Sequence, residues 1–488
     1  MQFIGVDLGS TNIKAAVYDQ QLSCIAMESI PVSYLKNDGF VEFDAEAYVS
    51  ALKNVLHRVV EQKSVVPHEI NTITFTGQAE SLVILDAQRK PLVPVISWMD
   101  ERSVNECVEL KQHFSQKDCS AKTGQLAILP TWPATKVLWL RHNRPDVYAA
   151  AVHYLLLKDY IVFRFTGKLA ADLSIATFSF YTDIYQKCYW QEMLDVCGIR
   201  LDQLPPLVEP CSVIGSVIPA VASAIGISEH TVVNIGTLDH FAGMVGTGNV
   251  QPGEMSLSTG TVMALATMAA DPIGKDTGIA MHYGFQPNTY VTLLVAESGG
   301  ICLEWFKRAC MPSTSYDALN EELAKRPTSD VVFLPYLVGT NAPDFNSNAC
   351  GMFFGLRDRH DRFDMAYAIM EGVAHLLKVN SDRIAETGTL IHHIVATGGG
   401  SKSDIWCQLQ ADITGIPVCI PLQKEAACLG AAMIGAVSAG AYADLSAVCD
   451  AVVRMEKTFL PRENPLLSRK HRQYLALYEA MCRVQELS

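Results

Sequence analysis

Ile4-Gly5-Val6-Asp7-Leu8-Gly9-Ser10-Thr11-Asn12-Ile13-Lys14 carries the clearest structural pattern in the chain. Residues 3–6 are apolar and predict a β-strand that ends at Asp7. Residues 8–12 are the glycine and small polar residues of a tight turn, and residues 13–18 predict a second strand. The stretch therefore predicts a strand–turn–strand unit.

The turn has the chemistry of a phosphate site. Gly9 permits tight backbone geometry, so successive amides and the hydroxyls of Ser10 and Thr11 can surround a phosphate. At the strand end, Asp7 can hold a hydrated Mg²⁺, and Lys14, two residues past the turn, can reach a phosphoryl oxygen. An ordinary turn without a ligand is the alternative at this point.

The first half of the chain alternates strands with helices. Residues 45–63 have apolar side chains at helical spacing, and residues 72–75 and 82–85 predict short strands. This alternation indicates an α/β chain and not a helical bundle or a β-sandwich.

A second strand–turn–strand unit lies near the middle of the chain. Residues 255–257 and 262–267 predict strands, and Ser258-Thr259-Gly260-Thr261 between them has the turn chemistry of the first unit. Thr259 and Gly260 can therefore bind phosphate in the same way.

The repeated unit predicts two related domains, residues 1–245 and 246–488. The two corresponding turns would then form two walls of one phosphate cleft. No Pro-rich or Ser-rich linker marks the join, so we expect the domains to share a broad interface.

A third candidate is Thr397-Gly398-Gly399-Gly400-Ser401-Lys402-Ser403, which follows an apolar strand and precedes a predicted helix at residues 404–413. Three glycines at a strand-to-helix turn let a flat or anionic ligand approach the amides of a helix N-terminus. A flexible turn without a ligand is the alternative. The spacing of a Walker A loop is absent from the sequence.

Asp239 follows a predicted buried strand at residues 232–235 and the connection Gly236-Thr237-Leu238. A carboxylate at that place can lie on a cleft wall with restricted hydration, as a general base requires. The alternative is an N-cap for the following helix, because aspartate is a favoured cap. His240 is expected to be a packed or capping histidine and not a metal ligand.

The overall charge limits the classes of partner. A formal net charge of −13, with no basic run, argues against nucleic acid or an anionic membrane as partner. Hydrophobic residues make up 49% and charged residues 18%, which is an ordinary balance for a folded chain. The N-terminus has no basic and no apolar signal region, so we expect a cytoplasmic protein.

Two features that point elsewhere have simpler explanations. The fourteen cysteines are scattered and form no C-x-x-C pair, so free thiols in a reducing compartment are expected. Residues 426–443 are uncharged and long enough to span a membrane, but they are Ala, Gly and Ser more than Leu or Ile. A tightly packed internal helix is predicted there.

Taken together, these segments resemble the FGGY carbohydrate kinases of the actin/Hsp70-like ATPase superfamily, which has a ribonuclease H-like fold. The most specific segment is Gly351-Met352-Phe353-Phe354-Gly355-Leu356, followed by Asp364-Met365 and Ala368-Ile369-Met370-Glu371-Gly372-Val373, and it is similar to the family's C-terminal signature. Trp132-Pro133-Ala134-Thr135-Lys136-Val137-Leu138-Trp139-Leu140 is similar to an earlier signature. The resemblance implies a two-domain α/β ATPase fold with a cleft between the domains.

The resemblance also implies roles for single residues. Asp239 matches the family's base aspartate and Asp7 its metal-associated aspartate, with ATP and Mg²⁺ as cofactors. Nucleotide contacts are implied for Gly9, Ser10, Thr11, Lys14, Thr259, Gly260, Gly399, Gly400 and Ser403. Acceptor contacts are implied for Gln78, Glu80 and Trp132, together with Asp239.

The identity of the acceptor stays open. Gln78-Ala79-Glu80-Ser81 occupies the segment that reads Gln-Met-His-Gly in xylulokinases and Gln-Arg-Glu-Thr in glycerol kinases. The Met-His of the xylulokinases and the Arg of the glycerol kinases are missing here, while the glutamate persists. The resemblance implies ATP-dependent phosphorylation of a terminal hydroxyl on a small sugar, led by a pentulose such as D-xylulose. A polyol of the glycerol or erythritol type and another ketose are alternatives. The resemblance is also compatible with a homodimer.

Two other functions are known classes of activity for such a fold. A non-catalytic nucleotide-binding regulator would be expected to lack Asp7, Asp239 or the triple-glycine loop, and the sequence has all three. An ATPase acting on protein clients would need an additional client-binding domain. The sequence therefore favours a kinase.

Overall fold

The computed structural model describes residues 1–269, 272, 278–326, 328–342, 344–423 and 425–486. The strands of the first half are β1 (Gln2–Leu8), β2 (Asn12–Tyr18), β3 (Cys24–Pro31), β4 (Leu35–Asn37), β5 (Phe40–Phe43), β6 (Ile70–Gly77), β7 (Leu82–Leu85), β8 (Val95–Ile96), β9 (His153–Leu156), β10 (Ala171–Asp172), β11 (Thr182–Asp183), β12 (Cys188–Tyr189), β13 (Leu207–Val208), β14 (Val213–Ser216) and β15 (Val232–Asn234). Its α-helices are α1 (Ala45–Val60), α2 (Val104–His113), α3 (Gln116–Thr123), α4 (Pro133–Asn143), α5 (Pro145–Ala150), α6 (Leu157–Thr166), α7 (Leu173–Ala176), α8 (Gln191–Cys197), α9 (Pro219–Ile225) and α10 (Asp239–Gly246).

The second half continues the alternation of strands and helices. Its strands are β16 (Glu254–Thr259), β17 (Met263–Ala269), β18 (Met281–Tyr283), β19 (Tyr290–Ala296), β20 (Val332–Leu334), β21 (Met352–Phe354), β22 (His393–Thr397), β23 (Val418–Pro421) and β24 (Met455–Phe459). Its α-helices are α11 (Gly300–Cys310), α12 (Tyr316–Ala324), α13 (Arg362–Ala385), α14 (Asp404–Thr414), α15 (Ala426–Ser438), α16 (Leu445–Val452) and α17 (Pro465–Gln485). Short 3₁₀ turns lie at Pro67–Glu69, Thr177–Ser179, Leu201–Gln203 and Gly400–Lys402.

The predicted internal repeat is confirmed by the two main sheets. Among the described residues, the first sheet has the strand order β14-β15-β6-β1-β2-β3 and the second the order β18-β19-β17-β16-β22-β23-β24. In the first sheet β1 pairs antiparallel with β2 and parallel with β6, and β6 pairs parallel with β15. In the second, β16 pairs antiparallel with β17 and parallel with β22, and β22 pairs parallel with β23. Both halves are thus built on one topology.

Strand formation follows from burial on both faces of each sheet. Phe3, Ile4, Val6 and Leu8 are fully buried, which is the pattern of a central strand covered on both sides by helices. The helix predicted at residues 45–63 is α1, whose apolar side chains face the first sheet and whose N-terminus is capped by Asp44.

Two predicted turn boundaries were wrong by one or two residues. The first strand continues past Asp7 through Leu8, because Leu8 still pairs with Ile13 on β2. Likewise, Ser258 and Thr259 belong to β16 and not to the turn, because Thr259 pairs with Met263. Local composition identifies a turn, whereas the pairing of the two strands sets where it begins.

The small-residue segment forms an internal helix, as predicted, and it joins the two halves. Helix α15 crosses α10 so closely that a Cβ on Gly430 would lie 1.8 Å from the Ala242 carbonyl oxygen, and a Cβ on Gly246 would lie 2.0 Å from that of Ala426. It also packs on β1, where a Cβ on Gly5 would lie 1.9 Å from the Cys428 carbonyl oxygen. Small side chains are therefore required at this crossing.

Within the residues described, no helix combines the length and apolar character needed to cross a membrane. All fourteen cysteines lie in the described ranges and are free thiols, as predicted.

Candidate active site

Three parallel strands bring the predicted catalytic residues of the first half to one edge of the sheet. At their carboxyl ends, Leu8 of β1 pairs with Gly77 of β6, and Gly77 pairs with Leu238, which follows β15. Asp7, Gln78 and Asp239 therefore stand at neighbouring strand ends. Ligand sites of open α/β sheets lie at this edge.

Asp7 presents an unsatisfied carboxylate to this edge. Its Oδ1 atom is buried and has no hydrogen-bond partner among the described residues. Burial, together with the nearby charge of Asp239, raises the pKa of Asp7 to about 7, and Lys14 opposes the rise. An ionised carboxylate in such a place is costly unless a cation or a donor compensates it.

The first turn is compact and partly open to solvent. A Cβ on Gly9 would lie 2.7 Å from the carbonyl oxygen of Asn12, so the turn has no room for a side chain at this position. Ser10 is half-buried and Thr11 is exposed. Lys14 forms an ion pair with Glu425, at 2.7 Å between Nζ and Oε2, so its ammonium is already bound to the second half of the chain.

Asp239 is the first residue of α10, and the N-cap position is taken by Leu238. The capping alternative therefore does not describe the structure. The carboxylate of Asp239 accepts a hydrogen bond at 2.6 Å from the backbone N–H of His240. Burial raises the pKa of Asp239 to about 6, and burial lowers that of His240 to about 4. Beside a neutral imidazole, Asp239 is a weakly solvated carboxylate with the basicity of a general base.

In the second half, the turn and the triple-glycine loop are packed together. A Cβ on Gly400 would lie 2.8 Å from the Cβ of Thr259, and a Cβ on Gly398, whose φ is 81°, would lie 2.9 Å from the Thr259 carbonyl oxygen. The Oγ1 atom of Thr259 is buried and has no hydrogen-bond partner within the described part of the chain. Glycine is needed here because the loop lies directly on the turn.

A cavity of about 390 Å³ opens beside this contact. Its lining includes Thr259, Gly260, Gly399, Gly400 and Ser403, which are five of the residues predicted to bind the nucleotide. Apolar and polar side chains complete the wall, among them Leu303, Tyr316, Asn320, Met370 and Trp406. A largely apolar cavity with backbone amides and a few polar groups suits an adenosine moiety.

Ser403 has two partners in the protein. Its Oγ donates to Asn320 Oδ1 at 2.7 Å and accepts from the backbone N–H of Trp406 at the start of α14. It therefore caps a helix in addition to lining the cavity.

Gln78 and Glu80 lie next to the first turn. Gln78 is buried and donates to the carbonyl oxygen of Gly9 at 3.4 Å. Glu80 adopts a left-handed φ of 64°, a conformation that side chains other than glycine adopt at a cost. The fully buried Lys136 holds this segment, donating to the carbonyl oxygens of Glu80 at 3.3 Å and Ser97 at 2.7 Å. Burial raises the pKa of Glu80, and Lys136 opposes the rise.

Trp132 belongs mainly to the core of the first half. It is only 6% exposed and stacks on Phe180, with ring centroids 5.6 Å apart. Its indole N–H already donates to the carbonyl oxygen of Ala127 at 3.0 Å. Its indole N–H is thus committed within the protein, and an acceptor contact by Trp132 remains a prediction.

Asp7 is the residue that fits a metal ion. No group of three or more His, Cys, Asp or Glu side chains is placed to hold a metal among the residues that the structure describes. Mg²⁺ does not require such a cage, because one or two carboxylates with water and substrate phosphates complete its coordination. The unpartnered Oδ1 of Asp7 fits that single protein ligand.

The sequence analysis did not identify Glu425 or Lys136 as part of the site. Glu425 immediately precedes the small-residue helix α15, but its partner Lys14 is 411 positions away. Lys136 lies in the earlier signature segment, and full burial of a lysine cannot be inferred from an apolar helix pattern.

The two halves share one topology, and their turns correspond. A buried carboxylate stands where strand ends adjoin. Together these features define a two-domain α/β phosphotransferase. The chain belongs to the FGGY family of carbohydrate kinases, whose N-terminal domain matches residues 2–246 and whose C-terminal domain matches residues 255–439. The predicted family and the two-domain α/β fold are confirmed, and the protein is a carbohydrate kinase.

Similar proteins include kinases for more than one sugar. The chain is 30% identical over 419 residues to the xylulose kinase of Escherichia coli (strain K12), covering 85% of each chain. It is 28% identical over 463 residues to the gluconokinase of Bacillus subtilis (strain 168), covering 92% of this chain and 90% of the relative. The ligand-bound xylulose kinase of Lactobacillus acidophilus has a TM-score of 0.90 at 25% identity, covering 100% and 98% of the two chains.

Proposed function

We propose that this kinase transfers the γ-phosphate of ATP to a terminal hydroxyl of D-xylulose, with Asp239 as general base. The observation that carries the proposal is the position of Asp239. Its carboxylate stands at a strand end beside Asp7 and Gln78, and it accepts a hydrogen bond from the adjacent His240 N–H. The similar xylulose kinases support the choice of acceptor.

In the proposed reaction, Asp239 accepts the proton of the acceptor hydroxyl while that oxygen forms a bond to the γ-phosphorus. The bond between the γ-phosphorus and the β,γ-bridging oxygen breaks, so ADP leaves with the electron pair. A positioned base contributes about 10²–10⁴ in rate, and its pKa works best near the operating pH. Burial raises the pKa of Asp239 to about 6, which supports this role.

The phosphates are assigned to the two turns. The backbone amide at Gly9 can donate to phosphoryl oxygens. In the second turn the Gly260 N–H already donates to the Val262 carbonyl oxygen at 3.0 Å, so the unpartnered Thr259 hydroxyl is the donor assigned to phosphate there. Asp7 would hold Mg²⁺, which neutralises charge on the phosphate chain. Lys14 can add a positive charge once phosphate competes with Glu425 for its ammonium.

The acceptor side is assigned to Gln78 and Glu80. A carboxylate can accept hydrogen bonds from two neighbouring hydroxyls, which a ketose provides. Gluconate is a second candidate, because a gluconokinase is among the similar proteins. When ionised, Glu80 would repel the carboxylate of gluconate, and this favours the ketose.

An acceptor panel tests the proposed substrate. ADP release is measured with ATP and D-xylulose, D-gluconate, glycerol or no acceptor, the last giving background hydrolysis. D-xylulose should give the highest kcat/KM. A higher kcat/KM for gluconate or glycerol would overturn the assignment while leaving the kinase class intact.

Glu80→Gln sharpens the test of the acceptor site. Removing the charge should raise KM for D-xylulose about 10-fold, as expected for a lost charge-assisted hydrogen bond, and leave KM for ATP unchanged. Glu61→Gln on the exposed surface after α1 is the control. An unchanged KM for D-xylulose in Glu80→Gln would remove Glu80 from the acceptor site.

Three further properties are part of the proposal. The domain boundary is placed near residue 245, which the family's two matched segments support. A cytoplasmic, reducing location is supported by the fourteen free thiols. A homodimer is proposed from the family resemblance, and sedimentation of the purified protein would test it.

A further inference from the structure

A buried ion pair lies behind the strand end that carries Asp239. Lys158 of α6 and Asp172, the residue before α7, are 2.7 Å apart between Nζ and Oδ2, and both side chains are fully buried. A second carboxylate is adjacent, since Asp159 Oδ1 accepts from the backbone N–H of Asp172 at 3.3 Å. Buried ion pairs contribute little net stability, so a specific structural role is the better reason for one here.

Both members of the pair are connected to the segment that leads into Asp239. Lys158 Nζ also donates to the carbonyl oxygen of Ile235. Asp172 accepts the backbone N–H and the hydroxyl of Ser174. The Ser174 hydroxyl in turn lies 2.8 Å from Oγ1 of Thr237. The ion pair is thus bonded to the segment in two ways. Lys158 bonds to it directly, and Asp172 is linked to it through the Ser174 hydroxyl.

The remaining polar groups of this segment are bonded as well. The carbonyl oxygen of Thr237 accepts from Thr76 Oγ1 at 2.8 Å. Gly236 has a φ of 64° and donates to Asn234 Oδ1 at 2.8 Å. A Cβ at Gly236 would lie 1.9 Å from the Phe75 carbonyl oxygen, so the segment lies too close to β6 for any side chain at this position.

The carboxylate of Asp239 itself has little to fix it. Its hydrogen bond comes from the next residue along the chain, so its position depends on the backbone that precedes it. The buried charges need not contact the Asp239 carboxylate to influence its position, because they are bonded to the backbone segment 235–238 that precedes it. Misplacing a reacting group by about 1 Å can reduce turnover about 10²-fold.

We propose that this buried network positions the general base for proton transfer, a role that rests on the proposed function of Asp239. Its members, called here the base-loop network, are Lys158, Asp172, Ser174 and Thr237. They are positioning residues, since each acts through the backbone before Asp239.

The hydroxyl pair offers the cleanest test, because it can be removed without leaving a buried charge. Thr237→Val and Ser174→Ala should each lower kcat about 10-fold, with KM for ATP within about 2-fold of the parent protein. The double variant should lose no more than Ser174→Ala alone, because the bond that Thr237→Val removes is one that Ser174→Ala has already removed. Thr237→Ser, which retains the hydroxyl, should restore kcat.

Ser179→Ala is the matched control. Ser179 and Thr182 form another buried hydroxyl pair at 2.9 Å in the same half of the chain, and this pair is bonded within its own turn. This variant should lose stability on heating without losing kcat. An equal loss of kcat in Ser179→Ala, or full turnover in Thr237→Val, would overturn the positioning role.

Asp239→Asn in the same assay distinguishes failure of the proposed base from failure of the proposed positioning network. If Asp239→Asn retains turnover, the assignment of the base fails, whatever the network does. If Asp239→Asn is inactive while Thr237→Val and Ser174→Ala are fully active, only the positioning inference fails.

Discussion

The two strand–turn–strand units share one topology but differ in charge. In the unit formed by β1 and β2, Asp7 stands directly opposite Lys14. In the unit formed by β16 and β17, the matching positions near the turn carry Ser258 opposite Ala264. The first unit is therefore charged at its turn, whereas the second is neutral and rich in hydroxyls.

This difference in charge indicates separate roles for the two strand–turn–strand units. A carboxylate beside a lysine suits a metal ion and the transferring phosphoryl group, where charge changes during the reaction. The neutral unit instead provides Thr259 and a surface against which Gly398 and Gly400 pack, beside a cavity of about 390 Å³. We therefore expect changes in the charged unit to affect kcat and changes in the neutral unit to affect nucleotide binding.

Asp7→Asn should give the largest effect among tests of this comparison. It removes the single carboxylate that fits Mg²⁺, so kcat should fall about 10²–10³-fold, as for the loss of one transition-state electrostatic contact. ADP release with saturating D-xylulose measures this loss.

Asp19→Asn is the control for the charged unit. Asp19 lies at the other end of β2, where its carboxylate accepts backbone N–H groups of an exposed turn. Turnover should be unchanged in this variant. Near-normal kcat in Asp7→Asn would contradict the assignment of the metal to the first unit.

The pH dependence should separate the proton transfer at Asp239, which lies outside both units, from nucleotide binding at the neutral unit. Asp239 must be ionised to accept a proton, and burial raises its pKa to about 6. Activity should therefore be full at higher pH and fall about tenfold per unit as the pH drops below about 6. A profile of kcat from about pH 5 to about pH 8 measures this, whereas KM for ATP should show no step at that pH.

The raised pKa of Asp7 predicts whether the stability of the folded protein rises or falls with pH. In the folded protein without bound metal, burial raises the pKa of Asp7 from 3.8 to about 7. The folded chain then binds this proton more tightly than the unfolded chain, so stability falls as the pH rises from 3.8 through about 7. Asp7→Asn should accordingly have the higher Tm near pH 8, with the difference shrinking near pH 4. A Tm gain that grows towards low pH would contradict the burial of this charge.

Thr259→Val should give the smallest effect. It removes the unpartnered hydroxyl of the neutral unit while keeping the side-chain shape. KM for ATP should rise about 3–10-fold, the range for one hydrogen bond, with kcat little changed. Thr397→Val, which loses a long bond to the Leu257 carbonyl oxygen one strand away, is the comparison variant. A fall in kcat larger than the rise in KM would show that the neutral unit also acts in the transition state.

The sequence predicted what depends on local pattern. The two turns, the internal repeat and the small-residue helix α15 follow from residues that are neighbours in the chain. The pairing of Lys14 with Glu425 could not be predicted in this way, because 411 positions separate the two residues. The ion pair of Lys158 with Asp172 joins a helix to a strand end, and its full burial depends on packing that no single segment encodes.

Site residues also differ in whether local sequence or distant elements determine their contacts. Gly400 was predicted from the glycine-rich composition of its loop, and the structure adds that the loop lies on Thr259. Trp132 is predicted to contact the acceptor, which remains a prediction, and the structure adds that its indole N–H is bonded to the Ala127 carbonyl oxygen. Whether a side chain faces a ligand or the core depends on the elements that surround it.

The role of Asp239 is tested most directly by single-turnover phosphoryl transfer from ATP to D-xylulose in Asp239→Asn, with ATP binding measured in parallel. The carboxamide keeps the shape of the side chain and can accept no proton from the acceptor. The account predicts a loss of at least about 10²-fold in the transfer rate with unchanged ATP affinity. Transfer at nearly the parent rate would contradict it.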